Sequence, residues 1–438
     1  MNHLHRIGCT ALIAAATALS TFAQTNGSNS PYSRYGVGLL ADGGNAFNKA
    51  MAGTAYGMAD SKQLNTLNPA SYAAIDSLTF LFDFGLSLQN ANVSAGGTKT
   101  NVKNTSVDYI TAGFRIAPKL GMSLGLIPFS TVGYNTTSEK KISSGHDDIT
   151  QTTTFSGDGG LHQLYAGVGW NPFAALSIGV NVGYVWGSYS HTLSQTFDEG
   201  GTTSGLYSGL HSDCESDIQT YKIDLGLQYP IILNPQNRLT VGATVGLGHS
   251  INGTSTLTRY NTVGDTVKIE AKDAFDLPYT LGAGVAWESQ GKMMVALDYT
   301  YEKWSSCHTP EQTTQDDQLA YSKQKGQYLD RSRVAAGFQY VPNPLSRNYL
   351  SRVEYRLGAN FSTPYLKVNG MDGPREYGVT AGFGLPISNK INRGTMANLS
   401  FQWFRRSPAA SSLIREDYFM VSVGVTFSES WFMKFKIQ

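Results

Sequence analysis

The sequence predicts an all-β fold, a transmembrane antiparallel β-barrel of about 14 strands preceded by a plug-sized segment. Three observations predict it. An export signal opens the chain, long segments alternate apolar with small or polar side chains, and beyond the signal no apolar run reaches 18 residues. Such a chain crosses a bilayer only as closed β-structure, in which neighbouring strands satisfy every backbone N–H and C=O.

The signal occupies residues 1–23. Met1 to Ile7 carries Arg6 and two histidines, Gly8 to Ser20 is small or apolar, and Thr21-Phe22-Ala23 supplies the small residues that a signal peptidase reads. Cleavage is expected after Ala23, leaving Gln24 first. The apolar stretch of 13 residues falls short of the roughly 20 that a spanning helix needs, which argues against an N-terminal anchor. Cys9 does not read as a lipidation site, because Arg6 stands where an aliphatic residue is required.

Composition agrees with this class. Charged residues make up 15% of the chain, against roughly 25% in soluble proteins. There are 47 glycines, 24 tyrosines and 20 phenylalanines. A net charge of +1 offers no electrostatic footprint for nucleic acid and no polybasic run for an anionic lipid surface. The expected location is a Gram-negative outer membrane, with its lipid as the surrounding partner.

The strands are read from their period of two. Leu176, Ile178, Val180, Val182, Tyr184 and Trp186 alternate with Ser177, Gly179, Asn181, Gly183 and Val185. Similar runs start at Tyr221 and Val295. Strands are expected at 78-91, 104-117, 119-132, 161-171, 174-190, 217-230, 237-250, 276-289, 291-304, 327-341, 350-362, 375-386, 395-405 and 415-428. The barrel domain is thus 78-428. Short connections such as Pro118-Lys119 and Gln290-Gly291 interleave with long polar ones at 133-160, 191-216 and 305-326. Short periplasmic turns and long outer loops are the barrel rule, and that rule makes both termini periplasmic.

Two segments lie outside the barrel. Residues 24-77 lack sustained alternation and are long enough to fold inward as a plug, since a barrel of this size otherwise leaves an open lumen; a periplasmic tail is the alternative. Residues 429-438 form a C-terminal tail carrying Trp431, Phe432, Met433 and Phe435.

Asn68-Pro69-Ala70-Ser71 stands just before the first strand, after Ser30-Pro31-Tyr32-Ser33-Arg34-Tyr35-Gly36 and Ala52-Gly53-Thr54-Ala55. With the strand count and the plug, these residues resemble the FadL-type outer-membrane transporters, in a version common in Bacteroidota. The resemblance implies that residues 24-77 are a hatch and that Asn68, Pro69 and Ala70 are its motif. It implies passive uptake of long-chain fatty acids or other small hydrophobic compounds, with a kinked third strand opening the wall sideways. Pro128 interrupts the third strand, with Gly133 nearby, and proline cannot donate to a ladder. These two residues are the candidate lateral opening; the alternative places Pro128 near the strand's outer end, where it matters little.

Inward positions carry Lys222, Asp224, Asp298, Glu302, Arg333, Glu354 and Arg356, a polar lumen of both signs in which structural pairing across strands is the leading role. A hydrophobic substrate would need an apolar pocket, better built from hatch residues such as Met51, Tyr56, Met58 and Leu67. His146-Asp147-Asp148 and His211-Ser212-Asp213 lie in outer loops without a convincing nucleophile arrangement, and the histidines show no zinc-ligand spacing. No enzyme, cofactor or metal is expected. Cys214 and Cys307, in long outer loops of an oxidising compartment, are open to either a disulfide or two free thiols. The leading function is therefore a channel for small hydrophobic compounds. The alternative is a non-transporting barrel that serves a secretion or assembly machine as shuttle or scaffold, with a protein partner. Substrate, partner and oligomeric state are not written in the sequence.

Overall fold

Alternation closes the chain into a 14-stranded antiparallel barrel. The computed structural model describes residues 29–77, 79–95, 97–143, 148–173, 175–198, 208–315, 318–387, 394–408, 410 and 413–430. The signal segment, His146, Asp147 and the tail from Trp431 onward lie outside the described residues.

The barrel strands are β1 Thr79–Ala95, β2 Thr98–Ala117, β3 Leu120–Ser143, β4 Asp148–Phe173, β5 Leu176–Asp198 and β6 Leu210–Asn234. Next come β7, Asn237–Gly246 continued by His249–Asn261, and β8, formed by Thr266–Lys272, Phe275–Leu277 and Thr280–Ser289. The remainder are β9 Met293–Glu302, β10 Arg331–Tyr340, β11 Glu354–Ser362, β12 Arg375–Pro386, β13 Met396–Ser407 and β14 Arg415–Ser430. β1 pairs with β14 from Thr79↔Ser430 to Ser94↔Arg415, which closes the ring.

Every expected strand is present, and the largest differences sit at the ends away from the tight turns. β3 to β6 run 23 to 26 residues, more than twice the 9–11 or so that a tilted membrane strand needs. Much of 133-160 and 191-216, expected as loop, is therefore strand that rises beyond the bilayer. Polar side chains on both faces there leave no hydrophobic alternation to read. The connection after β1 shrinks for the same reason to two residues, Gly96 and Gly97. Within 305-326 a further hairpin forms from Thr309–Gln315 and Gln318–Gln324.

The two faces differ as the alternation requires. Val182, Tyr184, Tyr221, Leu225, Leu297 and Tyr299 are exposed on the outside, where lipid covers them. Inside, the segment from Asn29 to Ser77 fills the bore. It contains 3-10 turns at Pro31–Arg34 and Pro69–Ala74, a one-turn helix at Ala46–Lys49 and a two-residue strand, Leu39–Leu40. Among the described residues no helix is long and apolar enough to cross a membrane. Val37 of the filling segment joins Val132, Leu161, Ile218, Trp304, Tyr328 and Tyr365 in an apolar cluster in the half away from the tight turns.

Candidate functional site

The filling segment is seated by its own backbone. Ala52 (φ 57) and Gly53 (φ 82) take consecutive left-handed conformations, a turn that aims the next N–H groups one way and the Ala52 carbonyl another. Ala55 N and Tyr56 N both donate to Asp298 Oδ2, at 2.6 and 2.9 Å. Arg333 donates to the Ala52 carbonyl at 3.0 Å, and Thr380 accepts from Ala52 N. The Ala-Gly-Thr-Ala stretch is thus a socket for one carboxylate and one guanidinium of the wall.

Asn68 does the same for the Asn-Pro-Ala motif. Its Oδ1 accepts from Ala70 N at 3.1 Å and caps the 3-10 turn, whose first residue is Pro69, while its Nδ2 donates to the carbonyls of Tyr56 at 2.8 Å and Leu227 at 3.2 Å. One amide therefore fastens two parts of the segment to β6. Asn68→Ala is expected to weaken the seating by roughly 1–3 kcal/mol, the range for stranding buried partners, seen as faster hydrogen exchange across residues 65–75.

Glycines of the wall make room for this contact. A Cβ on Gly242 would lie 1.8 Å from the Tyr56 carbonyl oxygen, one on Gly121 1.9 Å from that of Tyr72, and one on Gly179 2.3 Å from the Pro69 carbonyl carbon. The wall and the segment meet backbone to backbone. Buried ion pairs add to the hold: Lys49 Nζ sits 2.7 Å from Asp108 Oδ2, with side chains 7% and 8% exposed.

On the other side of the segment lies a lumen cavity of about 970 Å³. Tyr56 and Leu67 line it, whereas Met51 and Met58 face away and pack with Phe47, Ala286 and Ala296. Of the expected inward charges, Lys222, Asp224, Asp298, Glu302 and Arg333 line the cavity. Glu354 and Arg356 pair with each other, and Arg356 also donates to Gln339 and Asn398. Lys222 pairs with Asp224, Arg331 with Glu302, Arg333 with Asp42, and Arg406 with Glu376 and Glu416. The pairs form within one strand (Lys222–Asp224, Glu354–Arg356), between neighbouring strands (Arg331–Glu302, Arg406 with Glu376 and Glu416) and with the filling segment (Arg333–Asp42), and leave no single-signed site among the described residues.

Burial pushes the Asp42 carboxyl upward, but Arg333, then Lys49 and Arg331, outweigh it and hold the group below the ordinary carboxylate range. A depressed value means that its contribution is present above the ordinary pKa of about 3.9 and is lost as pH falls through the lowered one. The side chain is 34% exposed, so solvent screens the effect. Asp42→Asn is expected to flatten the acid limb of thermal stability below about pH 4, with little change at neutral pH.

Pro128 lies where the wall changes. The β2–β3 ladder ends at Ile110↔Leu126, and no ladder pair joins the two strands beyond it among the described residues. The β3–β4 register shifts between Pro128 and Ser130. Leu39–Leu40 pairs instead with Thr131 and Ser130, and Ser33 Oγ lies 3.1 Å from Gly133 N. Ser106 to Ile110 on one lip and Leu126 to Thr131 on the other both line the cavity. The seam starts seven residues into β3, inside the span of about ten that crosses the bilayer. Ser30 Oγ donates to Glu416 at 2.6 Å and Asn29 reaches the Lys103 carbonyl, so the described segment begins in the half of the lumen away from the tight turns.

The BamG family model matches residues 6–438. The chain belongs to the BamG family. Solved structures share its fold: the toluene transporter TodX of P. putida (TM-score 0.59, 16% identity, 91% of this chain and 100% of that one), the Ralstonia pickettii toluene transporter TbuX (0.55, 15%, 89% and 98%) and a Pseudomonas aeruginosa FadL homologue (0.56, 10%, 89% and 98%). At these identities the likeness is one of fold. No curated protein matches in sequence.

In this BamG-family barrel Cys214 and Cys307 are both free, so no disulfide joins them. Cys214, on β6 opposite Leu257, packs against a cluster of Leu257, Ala271 and Tyr321, while Cys307 follows the turn Trp304–Ser306 into the larger cluster. Each thiol belongs to a separate apolar core. Burial pushes Cys307 up to about 12, and it is 2% exposed. Maleimide is expected to leave Cys307 unlabelled in the native barrel and to label it after unfolding, read by peptide mass. His211 stacks on Tyr260, with ring centroids 5.0 Å apart. Among the described residues no three His, Cys, Asp or Glu side chains converge as a metal site.

The glycine contacts were the feature missed in the sequence. Their signal was present, because Gly179, Gly226 and Gly242 all fall on the inward phase of the alternation.

Proposed function

We propose that this barrel is a partner subunit of an outer-membrane secretion or assembly machine, acting through the faces that it presents rather than through a diffusion path. The observation that carries the proposal is the seating of the hatch. Asp298, Asn68 and Lys49 fix it at three points of the wall, and glycine contacts leave it no slack. The cavity, though more apolar than polar in its lining, carries four ion pairs, Lys222–Asp224, Arg331–Glu302, Arg333–Asp42 and Arg406–Glu376, beyond the few polar groups of a usual small-molecule pocket. Membership of the BamG family fits this reading.

A second reading, passive uptake of hydrophobic compounds such as long-chain fatty acids, is favoured by a different observation: the lumen cavity reaches both lips of the seam at Pro128. The fold-mates named as toluene transporters agree with it.

The test is gentle extraction of the full chain from its native membrane, followed by protein stoichiometry and mass spectrometry of co-purifying lipid-soluble material. The subunit reading expects a stoichiometric protein partner and no enriched hydrophobe. An enriched hydrophobe that disappears in a Pro128 variant, without a partner, overturns it in favour of the channel.

A further inference from the structure

The end of the barrel that carries the tight turns exposes large apolar side chains. On β6 the inward phase runs Asp224, Gly226, Gln228, Pro230, Ile232. Gln228 is buried and donates to the Tyr56 and Met58 carbonyls of the hatch. Ile232, four residues further along the same phase, is 77% exposed, so the hairpin passes the hatch and leaves an isoleucine uncovered. Leu345, 92% exposed, and Leu350, 65% exposed, project from the connection between β10 and β11. Large exposed apolar patches rimmed by polar residues mark interaction sites, and these three side chains stand on turns at one end of the barrel.

These turns form one rigid arc. Gln290 N donates to the Gln236 carbonyl at 2.7 Å, joining the β8–β9 turn to the β6–β7 turn, and Val341 N donates to the Lys292 carbonyl at 2.7 Å, joining the next. The arc and hatch residues Ala59 to Gln63 enclose a cleft of about 790 Å³. Its charges are unbalanced. Arg238 pairs with Glu288, Glu354 pairs with Arg356, and Asp60 caps the Lys62 backbone N–H. Lys62, Lys292 and Arg352 make no ion pair among the described residues, and Arg352 Nε is buried without a hydrogen-bond partner.

We propose that this face docks a periplasmic protein segment that is acidic and carries apolar anchor side chains. The inference rests on the subunit reading and names the partner's chemistry. Lys62 and Lys292, with no ion pair among the described residues, line a cleft that holds four cations (with Arg238 and Arg352, the latter over the Tyr349 ring) against three carboxylates, Asp60, Glu288 and Glu354, and Ile232, Leu345 and Leu350 are exposed on turns of the same end. An acidic segment satisfies the cations, and its apolar anchors cover the rim, the arrangement of a buried apolar centre with complementary charge around it.

A photoreactive amino acid at Ile232 or Leu345 in the full-length protein, irradiated in its native membrane, tests the proposal, with Val263 at the opposite end as control. The expected result is one protein adduct at both positions, attached through an acidic peptide of the partner. Its yield should fall about tenfold in the Lys62→Glu/Lys292→Glu variant, as like charges now meet. Both lysines are exposed, and heat-modifiable migration on gels confirms that the variant barrel is folded. Adducts with lipid alone, or a protein adduct indifferent to charge reversal, overturn the proposal. A stoichiometric partner that co-purifies but crosslinks only elsewhere defeats this docking face and leaves the subunit reading standing. Absence of any partner defeats the subunit reading itself.

Discussion

Valine at both Gly242 and Gly121 is expected to unseat the hatch and turn a quiet barrel into a conducting one. Each added Cβ meets a backbone carbonyl oxygen, of Tyr56 at 1.8 Å and of Tyr72 at 1.9 Å, and backbone cannot rotate away as a side chain can. Overpacking usually costs about 1–3 kcal/mol; two rigid clashes on opposite parts of one small segment belong at or above the top of that range. The strands themselves keep every ladder bond, so the barrel should still show heat-modifiable migration. Planar-bilayer recording should then find steady conductance absent from the parent, since a barrel of this size without its plug has an open lumen. Ala336→Val, on an outward position, should leave the parent trace unchanged. A silent double variant that folds normally would mean that something other than the hatch closes the bore.

Lys49→Met is expected to have the next largest effect. Its ammonium lies 2.7 Å from Asp108, both side chains under a tenth exposed, and that carboxylate also accepts from the neutral hydroxyls of Ser87 and Ser106. Removing one member leaves a buried charge without its partner, a loss of roughly 3–5 kcal/mol. The readout is protection of hatch amides from Asn45 to Met58 against hydrogen exchange. Replacing both members, as Lys49→Met/Asp108→Leu, removes the stranded charge and should restore most of the protection. Asp108 stands on the β2 lip of the seam, so the single variant should also loosen residues 105–110. Equal protection in the single and double variants would show that the pair contributes shape and not charge.

How far the molecule was legible in its sequence differs from part to part. β12 was read to the residue as 375-386, because both of its ends coincide with loss of alternation. β4 was read as 161-171 and runs from Asp148 to Phe173, because Thr150 to Phe155 lie outside the bilayer, where neither face need be apolar. Asn68-Pro69-Ala70 was legible as a motif but not as a fastener, since its partners are the carbonyls of Tyr56 and Leu227. Pro128 was placed on the third strand, but its neighbours across the seam were not visible. Cys214 and Cys307 were open to pairing, and their assignment to different cores came only with the fold.

The sequence by itself determined a barrel, its fourteen strands and which face of each meets lipid, because a period of two is local and a bilayer enforces it on every strand that crosses. The tertiary structure decided where the filling segment sits, which glycines admit it, where the β2–β3 ladder stops and which charges neutralise one another. Those outcomes depend on contacts such as Ala55 to Asp298, 243 residues apart, and no local pattern encodes the distance between two groups that only closure of the barrel brings together.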